Sequence, residues 1–427
     1  MLRRARRLVV DVEPLRHADF RRLFLGQGVA FVGYQVTAVA VPVQLFAITR
    51  SSLWVGLLGL AALVPLVVAG LYGGAVADVV DRRKLYIASS CLVWAVTGGL
   101  LAQALLQVDS APLLLALVGV QSVGFGLSSP VRSAMVPRLL PTRLVPAGNT
   151  LNFTMSMIGM VAGPLLAGVV LARWSYSAAY AADAALFTVG LYAALRLPDL
   201  PPLGRAVRPG LGSVVEGLRF VGDRPVLWMS FAVDIVAMVF AMPRALFPQV
   251  AVERFGGTAA VGWLYASIAL GGVAGGLASG WIGRIRRQGA ALIVAVVAWG
   301  VLVAAAGLAR NLWLAVLLLA GAGAADLVSG VYRQTILQVY APDEMRGRLQ
   351  GVFLVVVAGG PRLGDLRAGG TAAAAGVGAS WVGGGIACAL VVVLLALAVP
   401  ALGRYEAPLA TERGPDPAGA EATAPVI

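Results

Sequence analysis

The sequence is nearly without the side chains that build metal sites and disulfide frameworks. Histidine occurs once, as His17, and cysteine twice, as Cys91 and Cys388, both cysteines inside apolar runs. No zinc, haem or disulfide chemistry can be assembled from these, so neither a metal nor a cofactor is expected. Charge is scarce as well: Asp, Glu, Lys and Arg make up 12% of the chain, where a soluble domain carries about 25%. Lysine appears once, as Lys84, and every other basic residue is arginine. A Gly-x-x-x-x-Gly-Lys-[Ser/Thr] phosphate loop is missing, which argues against an ATP-driven pump.

What is present is apolar: 59% of the 427 residues are hydrophobic, and the formal net charge is +13. Most of such a chain must face lipid. A soluble enzyme, a nucleic-acid-binding domain and a disordered protein are therefore excluded. The positive charge sits in short loops between apolar runs, the placement expected beside a bilayer.

Twelve runs of about 20 residues or more have the length a ~30 Å hydrocarbon layer needs. They lie near 23–48, 53–79, 85–107, 112–136, 147–172, 176–195, 226–250, 258–283, 289–309, 312–340, 348–373 and 379–402. They are read as helices, because unpaired backbone cannot face lipid, and the chain as an all-α membrane protein. The even-numbered loops hold the arginine clusters, such as Arg82, Arg83 and Lys84, or Arg284, Arg286 and Arg287. That asymmetry places both termini and the even loops in the cytoplasm. The expected organisation is an N-terminal segment 1–22, a six-helix half 23–195, a linker 196–225, a second half 226–403 and a disordered tail 404–427. A short surface helix is expected at Ser213–Phe220.

The halves repeat one plan. Residues about 201 positions apart match: Arg132 with Arg333, Pro141 with Pro342, Gly163 with Gly364, Gly168 with Gly369. Two parallel six-helix halves around a central pathway suit alternating access.

Two motifs carry a resemblance over nearly the whole chain. Gly74-Ala-Val-Ala-Asp78-Val-Val-Asp81-Arg82-Arg83-Lys84 closes the second run, and Gly159-Met-Val-Ala-Gly163-Pro164-Leu-Leu-Ala-Gly168 lies in the fifth. The first resembles the loop 2–3 signature of the major facilitator superfamily, with Asp81 in place of a glycine and Val79 in place of an arginine. The second resembles its antiporter signature. Val41-Pro-Val-Gln44, Pro342-Asp-Glu-Met-Arg346-Gly-Arg348 and Gly364-Asp365 look like the subgroup that holds the enterobactin exporter and the transmembrane secretion effectors. The resemblance implies a twelve-helix transporter of a bacterial inner membrane. It also implies a gating role for Gly74, Asp78, Arg82, Arg83 and Lys84, and export of a siderophore or another amphipathic small molecule. The superfamily's basic fourth-span motif is not evident around Gln121.

Ionisable residues inside a bilayer are costly and default to function. Asp234, about 13 Å into the seventh span by a ~1.5 Å rise per residue, and Asp326 in the tenth are the first candidates for carrying a proton, with Asp365 third. The alternative is structural pairing, Asp326 with Arg333 or Arg362 with Asp365 along one helix face. Asp183 is read as structural. Arg132 and Arg333 are expected at a cytoplasmic gate. The path is expected between spans 1, 4, 7 and 10, lined by Gln35, Gln44, Gln121, Tyr34 and Phe240. The expected partners are a small molecule, protons and lipid, with no nucleic acid, for a monomer. A multidrug or macrolide-type exporter, a facilitator or importer, and more remotely an intramembrane transferase are the alternatives.

Overall fold

A computed structural model describes residues 11–201, 219–340 and 346–406; the side chains of 71–79, 346–348, 350–352, 354 and 355 lie outside the description. The chain is all-helical among the described residues. The first half comprises α1 (Ala18–Thr49), α2 (Ser52–Val79), α3 (Arg82–Leu105), α4 (Ala111–Leu139), α5 (Val145–Arg173) and α6 (Tyr176–Leu195). The second comprises α7 (Pro225–Ala241), α8 (Phe247–Glu253), α9 (Ala259–Leu277), α10 (Gln288–Leu308), α11 (Leu312–Tyr340), α12 (Arg346–Ala375) and α13 (Val377–Ala398).

Short polar caps separate these long apolar helices. Asp81 accepts from the Arg83 and Lys84 amides at 2.8 and 3.2 Å and starts α3. Ser110, Ser175 and Asn311 cap α4, α6 and α11 in the same way. Each satisfies amides that a helix start leaves open. The substitution of Asp81 for a motif glycine thus gains a local use.

Eleven segments among the described residues are long and apolar enough to cross a membrane. The twelfth expected crossing is α12, which is long enough but carries Arg362, Asp365 and Arg367. The seventh span, expected as one helix, is broken. α7 ends at Ala241, Met242 is extended, a 3-10 turn covers Arg244–Leu246, and α8 follows. Pro243 is the cause: it disfavours helical backbone at the residue before it. Pro42, its partner 201 residues earlier, stays inside α1.

The halves meet through α2 against α12 and α5 against α9. Glycine permits the approach, and the two contacts mirror each other. A methyl on Gly262 of α9 would lie 2.5 Å from the Pro164 carbonyl oxygen and 3.0 Å from Gly168 Cα, both in α5. A methyl on Gly56 of α2 would lie 2.6 Å from the Asp365 carbonyl oxygen in α12. Within each half, Gly163 packs on α1 near Gln35, and Gly364 packs on α7 near Met238. The 201-residue repeat is therefore also a repeat of contacts.

These contacts lie toward the end of the bundle opposite the arginine-rich loops. There Ser52 Oγ donates to Gln249 Oε1 at 2.6 Å, joining α2 to α8 across the halves. At the arginine-rich end the polar contacts among the described residues stay within one half or reach its flanking chain. Arg83 pairs with Asp199 and donates to the Leu195 carbonyl, and Arg143 pairs with Glu13. Most of the expected surface helix, 213–218, lies outside the described residues, as does the tail from 407. The residues just before it are docked: the Tyr405 ring packs tilted against Tyr340, 5.7 Å between centres, and Glu406 pairs with Arg287.

Candidate functional site

A cavity of about 190 Å³ opens between the halves. Tyr34 and Gln35 of α1 line it, as do Met160 and Pro164 of α5, Tyr265 of α9 and the charged trio Arg244, Arg362 and Asp365. The break in the seventh span delivers Arg244. Irregular backbone at membrane depth must find partners inside the protein, and Arg367 supplies them. Its guanidinium donates to the Val239 carbonyl at 3.0 Å, to the Phe240 carbonyl, and to the Ser380 carbonyl at 3.1 Å. On the other side of the break, Tyr265 Oη donates to the Arg244 carbonyl at 3.1 Å. The chain is thus pinned before and after Arg244.

Behind the cavity the charges of the second half continue in alternating sign. Arg244 and Arg362 both act electrostatically on Asp365. Arg244 and Arg333 both act on Asp326. Arg333 forms a direct ion pair with Asp234, the two being 6% and 2% exposed at their side chains. The Arg333 guanidinium also sits 5.8 Å from the centre of the Phe353 ring. Three carboxylates face three guanidiniums, so one added proton leaves the row with unbalanced positive charge.

The two structural pairings expected along single helices are not the ones present. Arg333 pairs with Asp234 of another helix rather than with Asp326 of its own. Arg362 and Asp365 share the cavity without a direct ion pair among the described contacts. Asp326 is half-buried. Asp183 is buried in the first half, where it accepts from Thr37 at 2.6 Å and Thr97 at 3.4 Å.

The expected lining divides. Tyr34 and Gln35 face the cavity. Gln44 does not: it exchanges amide hydrogen bonds with Gln103 at 3.1 Å and accepts from Tyr180 Oη at 2.7 Å, inside the first half. Gln121 is buried on α4, away from the cavity lining, with its Nε2 unpartnered. Phe240 offers its carbonyl to Arg367, and its ring is absent from the lining. Of the expected spans 1, 4, 7 and 10, the first (α1) and the seventh (at its break) line the cavity, and α2, α5, α9 and α12 supply the rest. The glycine faces draw α2, α5, α9 and α12 toward the axis. Arg244, Arg362, Tyr265 and Arg367 were not chosen as site residues from sequence, although Pro243 beside Arg244 was the available signal.

In the loop 2–3 motif, Arg82 donates to the Ala134 carbonyl at 3.2 Å and Arg83 reaches the linker. Lys84 offers its amide to Asp81. Of Gly74 and Asp78 only the helical backbone is described. In the fifth-span motif, Gly159 packs against the Phe31 ring, while Pro164 and Gly168 meet Gly262. Neither Arg132 nor Arg333 touches the other half among the described contacts.

The transmembrane secretion effector family matches residues 10–420. An enterobactin exporter, EntS of Citrobacter koseri, is 30% identical over 397 residues, 92% of this chain and 94% of that protein. The crystal structure of the nucleoside transporter NupG superposes with a TM-score of 0.74 at 14% identity, over 91% of this chain and 100% of the other. An inward-facing bacterial homologue of the lysosomal transporter Spinster gives 0.70 at 17% identity, over 92% and 97%.

Proposed function

Because the chain belongs to the transmembrane secretion effector family of major facilitator transporters, we propose that it exports an amphipathic small molecule of siderophore type in exchange for protons. The alternating row of charge that begins at the cavity carries this reading. Ionised Asp365 accepts hydrogen bonds from cargo hydroxyls, and Arg244 and Arg362 donate to cargo oxygens. A catechol or a hydroxylated amide offers both kinds of group. A proton arriving at the row removes the acceptor and releases the cargo, so proton and cargo compete, as exchange requires.

The positive-inside asymmetry puts the arginine-rich end and both termini in the cytoplasm of a bacterial inner membrane. The halves joined at the opposite end then correspond to an inward-facing state that loads cargo from the cytoplasm. The exporter EntS, 30% identical, supports both the direction and the cargo class.

The test is binding against pH. Purified wild-type protein should bind a 2,3-dihydroxybenzoyl-serine probe at least tenfold more weakly at pH 5.5 than at pH 7.5, releasing protons on binding. Asp365→Asn should bind with no pH dependence. Equal wild-type affinity at both pH values, with no proton release, would contradict exchange at this site.

A further inference from the structure

A second, smaller pocket of about 40 Å³ lies inside the first half. Gln27, Tyr86, Ser90 and Ser128 give it a polar wall, Phe125 closes one side, and Arg132 projects into it. The Tyr34 and Phe125 rings stand 4.1 Å apart. Tyr34 lines the large cavity and Phe125 the small pocket, so this aromatic pair forms the partition between them.

The repeat shows what is unusual here. Arg333, the counterpart of Arg132, is neutralised by Asp234 within its own half. The position 201 residues before Asp234 is Gly33, which brings no side chain. Asp183 covers Gly33 but spends its hydrogen bonds on Thr37 and Thr97. Arg132 has no ion pair and no hydrogen bond among the described residues, and no carboxylate lines its pocket. Gln27 Oε1 is likewise buried without a partner. An arginine within a membrane span normally pairs or faces a ligand path, because its desolvation costs a few kcal/mol or more.

We propose that the Arg132 pocket is an anion subsite, taking a carboxylate or catecholate group of the cargo while the cargo's bulk stays outside. A volume of about 40 Å³ admits a carboxylate or the oxygens of a catecholate, and leaves any aromatic ring outside. The Gln27 amide, turned to present its nitrogen, and the Ser90 hydroxyl complete a set of donors around a single oxyanion, while the Ser128 hydroxyl is engaged with the Phe125 carbonyl at 3.2 Å. The subsite rests on the exporter reading, and it makes the two halves unlike: the first holds an unbalanced cation for the cargo, and the second holds a balanced row for the proton.

Salicylate is a suitable probe, titrated into the full chain in phosphatidylcholine nanodiscs. Arg132→Gln should weaken its binding at least tenfold, and Arg132→Lys should recover most of that loss. Arg173→Gln, at an exposed arginine that lines neither cavity, should leave salicylate affinity within about threefold of wild type. Affinity unchanged by Arg132→Gln, or lost equally with Arg173→Gln, would overturn the subsite. Wild-type protein gives a second readout that needs no variant. Phenylglyoxal modification of Arg132, followed by peptide mass spectrometry, should slow severalfold with salicylate, and an unchanged rate would overturn the proposal. The same protection by phosphatidylglycerol in place of salicylate would show a lipid headgroup as the occupant and contradict a cargo site. The exporter reading fails separately: wild-type protein that moves no cargo in any gradient sinks it, whereas wild-type transport with an unchanged KM in Arg132→Gln sinks the subsite alone.

Discussion

At the scale of single residues, the buried Asp234–Arg333 pair and the cavity-facing Asp365 have different work. Removing one member of a buried ion pair leaves an uncompensated charge and costs about 3–5 kcal/mol. Asp234→Ala should therefore lower the melting temperature sharply, whereas Asp234→Leu with Arg333→Met should recover most of it, as thermal denaturation in detergent would show. If transport also returns in the double variant, the pair is structural; if it stays absent, the pair carries charge movement. Among the described residues Asp365 lies in the cavity without a direct ion pair, so Asp365→Asn should melt near wild type and lose coupling. All three aspartates were visible in the sequence as charges in apolar runs. Their partners were not. Spacing along one helix pairs Asp326 with Arg333, but the carboxylate that reaches Arg333 comes from α7. Gln44 illustrates the same limit: its polarity was legible, and its engagement with Gln103 and Tyr180 depends on three helices meeting.

At the scale of elements, the break between α7 and α8 is the feature that makes a site. It exposes carbonyls in a region without water, and Arg367 meets those of Val239 and Phe240. A buried polar group left unsatisfied costs about 1–3 kcal/mol. Arg367→Met, which keeps the length and removes the donors, should destabilise the protein by about that amount or more, measurable as a fall in melting temperature. It should also raise the KM for cargo, because Arg244 is no longer held. The sequence showed Pro42 and Pro243 at matched positions and could not show that only the second would break its helix. That outcome depends on Arg367, distant in sequence, standing ready to donate to the freed carbonyls. The glycines of the fifth span were more legible, since small residues on one helix face imply a close neighbour; which neighbour, Gly262 across the halves, required the fold.

At the scale of the whole molecule, two mirrored glycine contacts hold the halves together at one end: Gly262 on α5 and Gly56 on α12. An alternating-access cycle must make and break this contact. Gly262→Val places a branched side chain where a single methyl already meets the Pro164 carbonyl at 2.5 Å. The variant should hold that end open. A cysteine at Ala269 in the cavity wall, in a Cys91→Ala background, should then react with a membrane-impermeant maleimide added from that end, whereas without Gly262→Val it should react from that end far more slowly. Equal rates in both proteins would show that this contact is not the seal. The twelve-run reading, the two halves and the arginine asymmetry were all legible, because length, repetition and loop charge are properties of the chain itself. The location of the cavity was not, because it depends on how far glycine faces draw α2, α5, α9 and α12 inward.

Proton-driven transport tests the central claim most directly. In inside-out vesicles containing the protein, with the lumen made acidic, wild type should accumulate a catechol siderophore against its gradient. Accumulation should collapse when the pH difference is dissipated, and Asp365→Asn should only equilibrate the cargo. Accumulation that ignores the pH difference, or that survives Asp365→Asn undiminished, would contradict proton exchange through this row of charges.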